Sequence, residues 1–294
     1  MFARVVRVVV VALSVLAISL VPVPARADER VVIPNACTVT HPYDAAISLT
    51  DLKTGIESNW GFQLTGKYWT DETYRPIVAV IWRTLDAISC TPYLDTLHAK
   101  VGALELSATS IGGWTAGDYG LTKADAVSLD FPQLLTNYTT DPGHVSRLFI
   151  HEMTHAYTRD RSSNPAYWAD FNALYAKNGR FGSYGSSASE TFSEVVGYFV
   201  ARCAANNPYT VSEAAYYDFA KNEVFGGKEF GPALGQPLSC DSTVADSTGA
   251  SESAMAAIEA AIADREAAAK EIAMNGPAVY GYESLTASGS SDSN

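Results

Sequence analysis

Two histidines four residues apart, with a glutamate beside the first, stand in the run His151-Glu152-Met153-Thr154-His155. Residues four apart on an α-helix lie one turn above each other. Both imidazoles can then present a ring nitrogen to one Zn²⁺ at about 2.0–2.1 Å. Glu152 falls one step round the helix, where it can reach a water on that metal without binding the metal itself. The whole chain has 5 histidines in 294 residues. Against that scarcity, this H-E-x-x-H pattern outweighs the plainer reading of two helix-face histidines with no metal.

A catalytic zinc uses three protein ligands and leaves one position open. No histidine follows His155. The metzincin continuation would place Gly at 158 and His at 161, where this chain has Thr158 and Arg161, so that class is excluded. The third donor is therefore a carboxylate on a later element. Glu190 is the best candidate, in Ser189-Glu190-Thr191-Phe192-Ser193-Glu194, and Glu194 shares its helical face. One of the two carboxylates can bind the metal. The other can accept the free N–H of a metal-bound histidine and fix the ring; the two roles could be exchanged between them. The plainer alternative is a capping box, Ser187-x-x-Glu190, with Glu194 in solvent. Asp160 and Asp170 are poorer candidates, the first in the tail of the histidine helix and the second among aromatics.

The elements that must carry these groups can be traced on either side. Asp141-Pro142 reads as an N-cap followed by an N1 proline. Val145, Phe149, Met153 and Ala156 then recur at helical spacing as a core stripe, with Leu148, His151 and His155 on the other inward face. His144 lies roughly 10 Å before His151 along the axis, too far to share the metal, and reads as a residue of the first turn or the cleft rim. A weakly patterned helix is expected over 44–60, and a stronger one over Thr73–Ser89, striped by Ile77, Val80, Ile81, Leu85 and Ile88. Alternation predicts strands at Leu104–Ala108 and at 127–131, the latter ending at, or lying on, a sheet edge because of Pro132. Leu129 of that strand is expected to help lay out an extended peptide. Further helices are expected over 166–178 and Glu190–Ala205, separated by a glycine-bearing loop at 179–185.

Residues 1–27 read as an export signal, with Arg4 and Arg7, an apolar run from Val8 to Val21, and a small-x-small site at Ala25-Arg26-Ala27. Removing that segment takes three arginines and no acid, moving the formal charge from −12 to −15. So acidic a surface argues against nucleic acid and anionic membranes as partners. The four cysteines suggest two disulfides in an exported chain, of which Cys37–Cys90 and Cys203–Cys240 are favoured because each pair brackets one half of the domain. The Asn137-Tyr138-Thr139 sequon is read as chance. Residues 246–275 form an Ala-rich helical pattern, and the Ser- and Gly-rich end reads as disordered.

The segments Phe149 to Ala156, Ser183-Tyr184-Gly185 and Glu190 to Glu194 together resemble the anthrax-lethal-factor family of zincin metallopeptidases, over roughly residues 125–200. The resemblance implies a zincin-like α+β fold, with a small mixed or antiparallel sheet on the active-site helix and a helical C-terminal lobe. It implies His151, His155 and Glu190 as zinc ligands, Glu152 as general base, Glu194 as the acid that orients a ligand, and Tyr184 as a donor to the transition state. Tyr184 stands one residue nearer to Glu190 than in the family pattern. The expectation is a secreted, monomeric zinc peptidase spanning 28–245, acting on peptide or protein substrates and not inserted in a membrane. The alternative is an exported zincin-like protein that binds a metal or a partner without turnover. A third possibility is a wall protein whose working part is the 246–275 helix.

Overall fold

The computed structural model describes residues 37–235, except residues 114, 162, 167, 185, 186, 211, 212, 232 and 233. The expected export signal, the Ala-rich run, the C-terminal tail and Cys240 lie outside the described residues, so the Cys203–Cys240 pairing does too. Among the described residues the fold is α+β, with eight helices and one mixed sheet.

The chain enters through Cys37, disulfide-bonded to Cys90. Asp86, 4 % exposed, fixes this lead-in by accepting from the backbone N–H of Thr40 and His41. Helix α1 (Leu49–Trp60) starts at the Ser48 cap and ends at Gly61, whose φ of 74° is the left-handed turn that favours glycine. Strand β1 (Gln63–Thr65) follows, then α2 (Arg75–Ile88) and α3 (Pro92–Val101). The expected α2 stripe is buried throughout, and so is most of the rest of that helix. Helix α3 is an addition to the expected elements, although Thr91 as cap and Pro92 in the first turn marked it.

Strands β2 (Glu105–Thr109), β3 (Gly117–Tyr119) and β4 (Ala126–Asp130) complete the sheet, in the order β1-β2-β4-β3. β1, β2 and β4 run parallel, and only β3 is antiparallel. The sheet is thus mixed and mostly parallel, as expected where helices cover its strands. β4 is not an edge strand: it pairs with β2 on one side and β3 on the other. Nor is it half-solvated, since all five of its residues are buried. Its polar residues Ser128 and Asp130 are inside as well, and Asp130 has partners there. That carboxylate accepts from the backbone N–H of Ile111 and of Gln133, and so caps helix α4 (Phe131–Thr140). The edge strands are β1 and β3, and β3 is the one beside the Glu152 side chain.

Helix α5 (Pro142–Tyr157) begins as expected, with the Asp141 side chain accepting from the His144 N–H. Val145, Phe149, Met153 and Ala156 are each 0 % exposed. Burying a stripe of that size contributes several kcal/mol, about 1.5–3 for each large side chain. Thr154 adds a buried polar tie, its Oγ1 2.9 Å from the Tyr93 hydroxyl on α3. Helices α6 (Ala169–Asn178), α7 (Ala188–Val200) and α8 (Ala214–Phe219) form the C-terminal lobe. α7 stops at Val200, so Cys203 lies beyond it rather than inside it. Among the described residues no single helix is long and apolar enough to cross a membrane. The bent α2–α3 region passes by length and composition only, and its apolar residues are buried in the core.

Candidate metal centre

Two helices and one strand build the site. On α5, Arg147, His151 and His155 are spaced by four residues and form one column. On α7, Glu190, Ser193, Glu194 and Gly197 form the facing column at helical spacing. Gly197 sits where the helices meet: a Cβ there would come within 2.8 Å of the Arg147 carbonyl oxygen. Its missing side chain lets α7 lie close enough for its carboxylates to reach the histidine rings.

The Nε2 atoms of His151 and His155 are 3.0 Å apart. Glu190 approaches both, with Oε2 3.3 Å from His151 Nε2 and Oε1 3.5 Å from His155 Nε2. One donor atom from each of the three residues lies within 4.8 Å of the others, a group that can hold a metal ion. Two further observations fit a cation here. Glu190 Oε2 is buried without a hydrogen-bond partner. Burial works to lower the His151 pKa, yet the Glu190 and Glu194 carboxylates outweigh it and raise the ring to about 9. Reciprocally, the two imidazoles hold the Glu190 carboxyl well below the usual carboxylate range. These acids favour positive charge at the His151 ring, whether a proton or a metal ion supplies it.

The ring backs are held separately. His151 Nδ1 is 2.8 Å from Glu194 Oε1, which in turn accepts from Arg147 Nη1 at 2.5 Å. His155 Nδ1 is 3.3 Å from the Ser193 hydroxyl. These contacts separate the two acids of α7: Glu190 meets the metal-facing nitrogens and Glu194 the rear one. Glu194 is 1 % exposed, so the solvated alternative is wrong. The capping alternative is half right, because the Ser187 hydroxyl does accept from the Glu190 N–H while the Glu190 side chain is turned to the histidines.

Glu152 is 6 % exposed, and burial holds its carboxyl above the ordinary range, opposed by the neighbouring His151 and His155. It packs on the edge strand β3: a Cβ at Gly117 would come within 3.0 Å of Glu152 Cγ and 3.2 Å of Leu148 Cδ2. The cleft here has a volume of about 370 Å³, and its lining includes Gly117, Glu152, His155, Tyr184 and Glu190. Tyr184 stands at the mouth, 58 % exposed, its ring centroid 5.8 Å from that of His151. Burial raises its hydroxyl pKa, and Glu190 and Glu152 add to the rise.

Other candidates fall away from the cleft. Asp160 is paired with Lys100 at 2.8 Å and accepts from Trp168 Nε1; Asp170 is exposed. His144 stays in the first turn of α5, with its ring beside Arg147. Sequence reasoning missed Arg147 and Ser193. Their signal was present, since Arg147 precedes His151 by one turn and Ser193 lies among the α7 acids.

No protein-family model matches this chain, and neither a curated protein nor a solved structure does. The residues themselves are therefore the whole basis for a functional reading.

Proposed function

We propose that the protein is a secreted zinc-dependent peptidase of the zincin kind, with His151, His155 and Glu190 as the ligands of one Zn²⁺. The observation that carries this reading is the convergence of those three donors within 4.8 Å, on a cleft whose lining also includes Glu152. Two imidazoles and a carboxylate are a donor set that suits zinc and leaves a position open. When bound, zinc lowers the pKa of a water to about 7 and polarises a carbonyl oxygen.

The chain's own groups supply the rest. Glu152 takes a proton from the attacking water and passes it to the leaving amine. Tyr184, at the cleft mouth, donates a hydrogen bond to the carbonyl oxygen as negative charge builds there. Glu194 holds the His151 ring in one tautomer and orientation. The outer edge of β3 lies on the cleft and offers an extended peptide the backbone of Tyr119, while the Gly117 N–H and C=O already contact the Thr115 hydroxyl. That role was expected of 127–131 and Leu129, which are covered on both sides.

An inactive metal-binding protein would have no use for a buried carboxylate beside the histidine pair, so turnover is the preferred reading. Export accords with the N-terminal segment and with the Cys37–Cys90 disulfide. Digestion of an unbiased peptide library tests the proposal. Cleavage that chelator abolishes and zinc restores is expected; cleavage indifferent to chelator, or none with zinc fully loaded, contradicts it.

A further inference from the structure

The charged groups around the cleft are mostly acids that are already engaged. Glu152 and Glu190 belong to the histidine cluster. Asp118 accepts from the N–H of Leu121 and of Thr122 and from the Thr122 hydroxyl. Arg159 is the one lysine or arginine among the described residues that line the cleft. It stands one helical turn beyond His155, just past the C-terminal cap of α5, where the carbonyl ends favour a cation. Among the described residues its guanidinium has one acidic neighbour, Asp125. Asp125, on the β3–β4 turn, comes no nearer than 3.9 Å, and the two side chains are 43 % and 77 % exposed. A pair this open contributes little and exchanges readily. Tyr119 and Leu121 line the cleft with Arg159. The Arg159 charge opposes the burial that raises the Tyr119 hydroxyl pKa. Leu121 is 73 % exposed, an apolar surface with no partner of its own among the core residues.

Resting on the peptidase reading above, we propose that Arg159, with Tyr119 and Leu121, forms a substrate subsite that selects a carboxylate, so that favoured substrates are acidic close to the scissile bond. A guanidinium binds a carboxylate through two parallel hydrogen bonds, which a carboxamide of the same shape cannot reproduce. The methylenes of a glutamate side chain can lie on Leu121 while its carboxylate reaches Arg159. The carboxylate has two possible sources, an Asp or Glu side chain within the substrate or the free C-terminus of a short peptide.

The test uses the zinc-loaded full chain and matched peptides with Glu or Gln at one position at a time, each with a free or an amidated C-terminus. A charge-assisted hydrogen bond at a half-exposed site corresponds to about a tenfold preference in kcat/KM. We expect that preference for Glu over Gln at one position in the wild type, its fall to about one in Arg159→Gln, and its inversion to Gln over Glu in Arg159→Glu. Preference for the free over the amidated end, lost in the same variants, assigns the carboxylate to the C-terminus instead. Asp125→Asn is expected to sharpen the wild-type preference, because it removes the competing acid. A Glu:Gln ratio near one in the wild type, or one that survives Arg159→Gln, overturns the proposal. Equilibrium binding of the same peptides to the zinc-loaded Glu152→Gln protein separates this from the parent reading. Selective binding of the Glu peptide, abolished by Arg159→Gln, with no turnover by the wild type, keeps the subsite and removes the peptidase; unselective binding removes the subsite whatever the turnover.

Discussion

Glu194, on α7, places its Oε1 2.8 Å from Nδ1 of His151, on α5, and so holds the ring from the side opposite Glu190. A carboxylate in that position fixes which nitrogen of the imidazole is free to bind a metal and raises the ring's basicity. The two acids of α7 should therefore respond differently to removal. Glu190→Ala is expected to abolish both metal retention and hydrolysis. Glu194→Ala should keep the metal but weaken it by roughly 10–100-fold. Competition titration with a chromogenic chelator measures both, and equal losses would show that the assignment of roles is wrong.

Arg147 completes that arrangement. Its side chain is 12 % exposed and that of Glu194 2 %, so the pair is largely withdrawn from water. Removing one partner leaves a buried charge short of compensation. Arg147→Met is expected to cost about 2–4 kcal/mol, at the low end of buried pairs because His151 still faces the carboxylate. The measurement is urea unfolding of the metal-free protein. A loss of a few tenths of a kcal/mol would place the pair among ordinary surface contacts.

Glu152 separates binding from chemistry. Its carboxylate belongs to the cleft but not to the three-donor group. Glu152→Ala should retain zinc and lower kcat by about 10²–10⁴-fold, the usual contribution of a positioned proton-transfer group. Zinc lost from this variant would make Glu152 a ligand instead.

His144 gives a pH dependence that can be isolated from the metal. Burial, and then the Arg147 charge beside it, lower its pKa from 6.5 to about 4. Because the folded pKa lies below the unfolded one, the unfolded chain binds more protons between those two values. Stability contributed by the neutral ring is full above about pH 6.5 and is lost as pH falls toward about 4. With the ring partly exposed, the loss should be on the order of 1–2 kcal/mol. Denaturant titrations in chelator at several pH values, for the wild type and His144→Gln, read it as a difference. Parallel stability curves for the two proteins would contradict it.

Much of the site was legible because metal chemistry constrains residue type and spacing together. His151 and His155 follow from helical geometry, and Glu190 from the need for a third donor. The Asp141 cap and the Val145-to-Ala156 stripe likewise placed α5 correctly. The geometry of support was harder to see. Arg147 and Ser193 matter only because Gly197 lets α7 approach α5, and that is a tertiary fact. β3 has three residues, too few to show a period, so the edge was assigned to 127–131. There the alternation of Ser128 and Asp130 looked like solvent exposure. Both are buried, and Asp130 ties the sheet to α4. Helices α3 and α4 carry only a local sign in the sequence, the capping pairs Thr91-Pro92 and Asp130-Phe131-Pro132, and are too short to show a long apolar stripe.

The central claim is that His151, His155 and Glu190 jointly hold one divalent metal. Metal analysis of the purified chain after exhaustive dialysis against trace zinc tests it most directly, beside His151→Ala, His155→Ala and Glu190→Ala. About one zinc per wild-type chain, and none in any of the three variants, is the predicted result. A wild-type chain that retains no metal, or variants that retain it fully, would contradict the account.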